Sequence, residues 1–414
     1  MNEAADDLIV QRPEGLYCPP GGFHIDPWRP VERAVITHAH ADHARRGHGA
    51  YLATAVSEGV LRARLGAISL QGLAYGEAVV VNGVRVSLHP AGHVLGSAQV
   101  RLEHAGRVWV ASGDYFVSGH THDANTTCTP FEPVRCDCFI TESTFGLPIY
   151  RWRPQAEVLG EVNAWWQANA AAGRASLLLG YSFGKAQRLL AGLDPAIGPI
   201  AVHGAVAPLN EAYRGAGVAL PATTTVDALV ADKALRQQAL VVAPRAVRAN
   251  AEQAESNRRA ARSTWVRQTA LATSGAISEA ELEAAQRALD VAPPAVLGSA
   301  FARRLGEHAD AFASGWMQLR GARRRQGVDR GFVLSDHADW PGLQRAIAAT
   351  GATRVIVTHG YEAVMVRWLQ QQGLEAGSFR TEYGDERLDA DEVPPAPAAG
   401  PEQDQGAAAA TPLG

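Results

Sequence analysis

The chain is poor in sulfur and in charge. Its 414 residues include four cysteines and three methionines, and charged residues make up 19%. Four thiols (Cys18, Cys128, Cys136 and Cys138) are too few to staple a fold of this length, which excludes a disulfide framework. Cys136-x-Cys138 has the spacing of a redox or metal pair, but two such positions also alternate across a strand, with one in the core. Long apolar runs are absent. The acidic start, Met1 to Asp7, is followed by nothing of signal or membrane length, so the expectation is a cytoplasmic protein with no membrane contact. An excess of positive charge is also missing. The net charge of −4 and pI of about 6.4 give no global support to a nucleic-acid binder, so any such role must rest on local patches. The 47% of hydrophobic residues are enough to bury a large core in two domains.

Histidine, by contrast, is concentrated. His38-Ala39-His40-Ala41-Asp42-His43 puts four potential metal ligands in six positions, directly after the apolar run Ala34-Val35-Ile36. On an extended strand end alternate side chains share a face, so His38 and His40 can address one ion. Asp42 and His43 follow where the chain turns and can address a second. Three further candidates each come at or near the end of an apolar β-branched stretch: His93 in Ala91-Gly92-His93-Val94, Asp114 in Ser112-Gly113-Asp114-Tyr115, and His359 in Val357-Thr358-His359-Gly360. Nitrogen and carboxylate donors without cysteine suit zinc, or manganese or iron. A carboxylate such as Asp114 can bridge two divalent ions.

Along the chain the texture changes once. Up to about residue 145 short β-branched strands alternate with glycine and proline turns, and Asn82-Gly83 between Val79–Val81 and Val84–Leu88 marks a hairpin. Ala55 to Leu65 is a candidate helix. From about residue 153 helical and strand patterns alternate: helix over 155–172, strand over 175–181, helix over 185–193, strands at 200–203 and 240–243. This predicts a parallel sheet covered by helices. Strand 331–335, helix 343–349 and strand 354–358 then carry metal-site candidates again, so the middle block reads as an insertion. Residues 247–290 are rich in helix formers, with a capping box at Ser278-Glu279-Ala280-Glu281, and read as a helical hairpin decorating that block. After residue 389 the Pro/Ala/Gly-rich tail has no hydrophobic period and is expected to be disordered.

His38, His40, Asp42, His43, His93 and Asp114 resemble the ligand set of the metallo-β-lactamase superfamily. Glu142 in Thr141-Glu142-Ser143-Thr144, His337 in Ser335-Asp336-His337-Ala338-Asp339, and His359 resemble the additional motifs of its β-CASP nucleases. Segments such as Ile25-Asp26-Pro27-Trp28, Phe145-Gly146-Leu147-Pro148-Ile149-Tyr150 and Gly315-Trp316-Met317-Gln318 are most similar to the bacterial ligase-associated DNA exonucleases. The resemblance implies an αββα sandwich with an inserted parallel-sheet cap. The expected division is 1–148 and 328–388 for the sandwich, 149–327 for the cap and 389–414 for the tail. It further implies two divalent ions, zinc or manganese: one on His38, His40 and His93, the other on Asp42, His43 and His359, with Asp114 between them. Asp42, Glu142 and His337 would be the catalytic groups, with Glu142 and His337 delivering a proton near the leaving group.

The implied activity is a DNA exonuclease working beside an ATP-dependent DNA ligase and a helicase. The alternatives are an RNA-processing ribonuclease of the same branch and a small-molecule metallohydrolase. Artemis-like DNA nucleases lack the last metal histidine, and His359 in this respect resembles the RNA-processing branch.

Gly180-Tyr181-Ser182-Phe183-Gly184-Lys185 imitates a P-loop but is one residue short and lacks the hydroxyl residue after lysine, which excludes ATP. A strand-to-helix glycine turn can still present amide N–H groups to an anion, so Ser182 and Lys185 are expected to receive a substrate phosphate. Arg323 and Arg324, within the densest basic run, are expected to contact the nucleic-acid backbone. His120-x-His122-Asp123 reads as a solvated loop, and His48, His89, His104 and His203 read as structural.

Overall fold

The computed structural model describes residues 7–119, 125–244, 301–319 and 328–382. The strands among them form three sheets. The first has the order Val10–Arg12, Gly15–Cys18, Phe23–Ile25, Arg33–Val35, Ala50–Thr54, Leu70–Leu73. The second runs Glu375–Ser378, Arg354–Gly360, Cys138–Ser143, Arg107–Ala111, Ala98–His104, Val84–Pro90, Ala78–Val81. The turn into the last hairpin holds Asn82 and Gly83 at φ 48° and 83°, the left-handed pair that matches strand twist, and Val81 pairs with Val84.

These two sheets face each other. Leu16, Phe23, Ile25 and Val35 of the first share one core with Val86, Leu88, Val100, Leu102, Ile140 and Ile356 of the second. Period-two alternation puts the intervening residues outward, where helices cover them. Val110, Phe139, Val355 and Val357 pack under Leu343, Ile347, Met365 and Leu369 of helices Trp340–Thr350 and Glu362–Gln371. Ala34, Ile36, Tyr51 and Ala53 pack under Val60 and Leu61 of helix Glu58–Leu65. The layers are helix, sheet, sheet, helix.

The third sheet is parallel throughout: Thr224–Thr225, Ile200–Val202, Leu240–Pro244, Ala175–Gly180, His308–Ala313, Arg330–Phe332. Both faces are covered, so its strands are continuously apolar, as in Leu177-Leu178-Leu179. Trp166 and Leu189 of helices Gln155–Ala171 and Lys185–Ala191 meet Leu178 and Val242 on one face, and Val226 and Leu229 meet Leu177 and Val241 on the other. All of this sheet comes from chain between Cys138–Ser143 and Arg354–Gly360, which are themselves parallel neighbours with Ile140 opposite Ile356. One helix of this stretch, Ala207–Gly215, leaves its own sheet. Its Leu209 and Tyr213 pack with Val60 and Leu61 in the outer layer of the sandwich.

Most elements expected from the pattern are present, with differences at their ends. The helix expected over 55–65 begins as a 3-10 turn at Ala55–Ser57. The strand expected over 331–335 is Arg330–Phe332, and the chain leaves the sheet before Ser335 so that it can turn toward the histidine cluster. The expected hairpin at 247–290 and tail at 389–414 lie outside the described residues, as does His120-x-His122-Asp123.

Candidate metal centre

The candidate ligands are held at the ends of strands. His38 to His43 follow Arg33–Val35, His93 lies in the loop after Val84–Pro90, Asp114 follows Arg107–Ala111, and His359 is near the end of Arg354–Gly360. The loops bring them together around Asp114, which is 5% exposed. Its Oδ2 lies 3.4 Å from His38 Nε2, 3.5 Å from His43 Nε2 and 3.9 Å from His93 Nε2, and its Oδ1 lies 3.2 Å from His359 Nε2. His40 Nδ1 is 3.1 Å from both His38 Nε2 and His93 Nε2. Asp42 Oδ2 is 3.7 Å from His43 Nε2.

Which of these nitrogens carries a hydrogen follows from the partner of the other ring nitrogen. Thr37 gives its hydroxyl hydrogen to Asp26, so its oxygen accepts from His38 Nδ1 at 3.0 Å. His93 Nδ1 donates to the Asp336 carbonyl at 2.8 Å, and His40 Nε2 to the Phe183 carbonyl at 3.3 Å. The neutral rings therefore turn three bare nitrogens toward one point, with His40 Nδ1 3.1 Å from each of the other two. Lone pairs at that spacing repel unless a cation sits among them. Zinc–nitrogen bonds of about 2.0–2.1 Å place neighbouring donors of a tetrahedral shell about 3.3–3.4 Å apart, so the donors fit. His43 Nδ1 donates to Asp26 Oδ2 at 2.7 Å, and His359 Nδ1 to Thr358 Oγ1 at 3.1 Å. Their Nε2 atoms thus face Asp114 as acceptors facing a carboxylate. This second group also turns its donors on Asp114, with Asp42 Oδ2 beside His43.

The electrostatics divide in the same way. Burial and neighbouring imidazoles hold His40 and His93 down to about 4 and His38 well below its ordinary value. These are the neutral donors a metal needs. Burial would also lower His43, but Asp114, Asp42 and Asp26 outweigh it and push the ring up to about 10. A proton on Nε2 and a metal ion are alternative ways of satisfying those carboxylates.

Beside this cluster, His337 Nδ1 lies 2.8 Å from Glu142 Oε2, and Glu142 Oε1 accepts the Tyr115 amide at 2.8 Å. The His337 and His93 rings are 4.6 Å apart. Both members of the pair are buried.

The turn expected to receive a phosphate has a different environment. In the turn 181–185 three successive amides are already engaged within the chain. The amide of Gly184 donates to Gln187 Oε1, that of Lys185 to the Phe183 carbonyl and that of Ala186 to the Tyr181 carbonyl. The Lys185 ammonium is itself buried against Asp336 Oδ2 at 2.9 Å, and Ser182 is half-buried with its carbonyl accepting from Gln187. The turn is closed because it is an interface between sheets, which spacing alone does not reveal. Arg323 and Arg324 lie outside the described residues. His48, His89, His104 and His203 each make local hydrogen bonds away from the cluster, in keeping with structural roles.

Sequence reasoning missed Asp26. It is buried at φ 42° and joins His43 to Thr37, and through Thr37 to His38. It was quoted only as part of a resembling segment, and no spacing marked it as a supporting carboxylate. The supporting roles of Asp336, Arg188 and the Phe183 carbonyl were missed because their partners lie far along the chain.

No family model matches the chain. Over 369 residues, 89% of the chain, it is 29% identical to a protein of Opitutus terrae named "Probable DNA ligase". It is 30% identical over 131 residues to the endoribonuclease ysh-1 of Neurospora crassa and 33% identical over 114 residues to cleavage and polyadenylation specificity factor 73 of Drosophila melanogaster. These two matches cover 30% and 28% of the chain. The chain spans 30% of the ligase-named relative's length and 14% and 16% of the other two. The similarity supports a β-CASP-like nuclease family without fixing one member of it. Among the described residues no helix is long and apolar enough to cross a membrane.

Proposed function

We propose that the chain is a two-metal phosphodiesterase of the metallo-β-lactamase and β-CASP type, acting as a DNA exonuclease in repair beside a DNA ligase. The observation that carries this reading is the convergence of the metal-facing nitrogens of His38, His40 and His93 on Asp114 with the Glu142–His337 pair next to them. His38, His40, His93 and Asp114 would hold one divalent ion, and Asp42, His43, His359 and Asp114 a second, zinc or manganese by donor type. When bound, such ions supply Lewis-acid activation of water and of a phosphodiester. The chain's own part is positional and protonic. Asp26, Thr37 and Thr358 fix which nitrogens face the site. Glu142 accepts from His337 Nδ1, stabilises the imidazolium and aims Nε2 to give a proton to a leaving oxygen.

The choice of DNA is supported by the relative whose name is a ligase, since removal of nucleotides at an end prepares it for joining. RNA is the second reading, favoured by the two RNA-processing relatives.

The test is end-labelled single- and double-stranded DNA and RNA, incubated with the zinc- and manganese-loaded protein. The expected result is stepwise shortening of DNA, about two ions per chain, and loss of both metal and cleavage in Asp114→Asn. An Asp114→Asn protein that keeps full activity would remove the site assignment. Cleavage confined to RNA would move the function to the second reading.

A further inference from the structure

Among the described residues, the stretch Phe183 to Arg188 of the inserted block packs directly on the metal cluster. The Phe183 carbonyl accepts from His40 Nε2, and its ring meets the His40 ring edge-on at 5.1 Å. Gly184, at φ 82°, packs so closely on Val94, next to His93, that a Cβ there would lie 2.3 Å from Val94 Cγ1. Lys185 Nζ lies 2.9 Å from Asp336 Oδ2, and one guanidinium nitrogen of Arg188 is 3.0 Å from Asp336 Oδ1 and also donates to the Ser335 carbonyl. All three ionic side chains are at most 5% exposed.

Asp336 in turn is tied to the chemistry by its backbone. Its carbonyl accepts from His93 Nδ1 at 2.8 Å, and it directly precedes His337. The choice of residue is informative. The chain has two lysines, Lys185 and Lys233, among 38 basic residues. At Lys185 a compact ammonium fits where the broader guanidinium used elsewhere would need more room.

We propose that Lys185 and Arg188 are positioning residues. By clamping the Asp336 carboxylate they hold its backbone carbonyl against His93 and fix the start of His337, while Phe183 fixes His40. Two of the three histidines of the first ion site are then oriented by the inserted sheet, and that site is complete only when the sheet is docked. Outer partners of metal-bound histidines set ring orientation and ligand basicity, and their loss typically weakens metal affinity or activity about 10–100-fold.

The inference rests on the proposed two-ion reading for its catalytic consequence but not for its metal consequence. Its test therefore includes a measurement that needs no substrate. The variants are Lys185→Met, the double variant Lys185→Met/Asp336→Asn, which removes the lysine–carboxylate pair while the new amide oxygen and the Ser335 carbonyl can still accept from Arg188, and Arg188→Lys, which keeps a cation at Asp336 but gives up the fork shared with Ser335. Thermal melting, zinc affinity by competition with a chromogenic chelator, and kcat and KM on end-labelled DNA are measured for each.

The double variant is expected to melt within a few degrees of the wild type, to bind zinc about 10–100-fold more weakly, and to lose kcat on the same scale at saturating metal, with little change in KM. A purely stabilising ion pair predicts that zinc affinity and kcat recover along with the melting temperature. Wild-type zinc affinity in the folded double variant, or in Arg188→Lys if the double variant does not fold, overturns the proposal. If the wild type binds zinc but cuts no nucleic acid, the functional reading fails and the zinc affinities still decide this one.

Discussion

Asp26 supports His43 while His337 stands beside His93, and their substitutions should separate two kinds of contribution. Asp26→Asn keeps the shape but weakens the acceptor for His43 Nδ1 and for both Thr37 donors. It should lower metal affinity about 10–100-fold, and activity should return when metal is raised. His337→Ala removes no donor of the two ion sites. It should keep its metal and lose about 100-fold or more in kcat at any metal concentration, the scale of a lost general acid. Metal analysis together with kcat at several zinc concentrations distinguishes the two. Loss of metal in His337→Ala would make it a ligand. At this scale the sequence was informative where residues serve one local purpose: His38, His40, Asp42 and His43 could be read from six positions. It was uninformative about orientation. Nothing in Ile25-Asp26-Pro27 says that this carboxylate selects the tautomer of a ring 17 positions away.

Among the elements, strand Arg354–Gly360 carries the greatest constraint. It ends on Gly360 at φ 91°, where a Cβ would come within 2.3 Å of the Ser143 backbone. Ser143 Oγ donates to the His359 carbonyl, so the strand end is pinned beside the ligand it carries. Gly360→Ala should therefore destabilise the fold by more than about 1 kcal/mol, because the left-handed conformation and the close approach both oppose a side chain. It should also loosen metal binding at the His359 side. Denaturant melts of the apo and zinc-loaded forms measure this, and unchanged stability would mean that the strand end can shift. Elements marked by composition, such as the apolar run Ala175–Gly180 and the stretch of helix formers Gln155–Ala171, were legible. Strand ends were not, because the termination of Arg330–Phe332 is imposed by the route to His337 and not by any breaker in Val333-Leu334-Ser335.

At the scale of the molecule, the pattern showed an insertion but not how deeply it is engaged. Leu209 and Tyr213 belong to the same buried cluster as Val60, Leu61, Ile36 and Phe183, and the Tyr213 hydroxyl accepts the Leu95 amide at 3.2 Å. The inserted sheet thus completes the outer layer of the sandwich. Replacing residues 153–334 by a flexible linker should not yield an independently stable sandwich, since it uncovers that apolar face. Solubility and cooperative melting of the deletion are the measurements, and a cooperative melt near the wild-type temperature would show two separable domains. The sequence could not reveal this, because Ala207–Gly215 is an ordinary amphipathic helix whose pattern does not say which sheet it covers.

The pairing of Cys138–Ser143 with Arg354–Gly360 also has a consequence in time. Ser143 and His359 are 216 positions apart in the chain yet hydrogen-bonded. At synthesis rates of about 5–20 residues per second, the earlier strand waits roughly 10–40 s on the ribosome for the partner that covers its edge. During that interval it is an open strand whose first half, Cys138-Phe139-Ile140, is apolar and of the kind that pairs with other chains. On the proposed two-ion reading the nascent chain also lacks its last ligand until residue 359 has emerged, and the yield of complete sites depends on what shields that edge while the inserted sheet is being made.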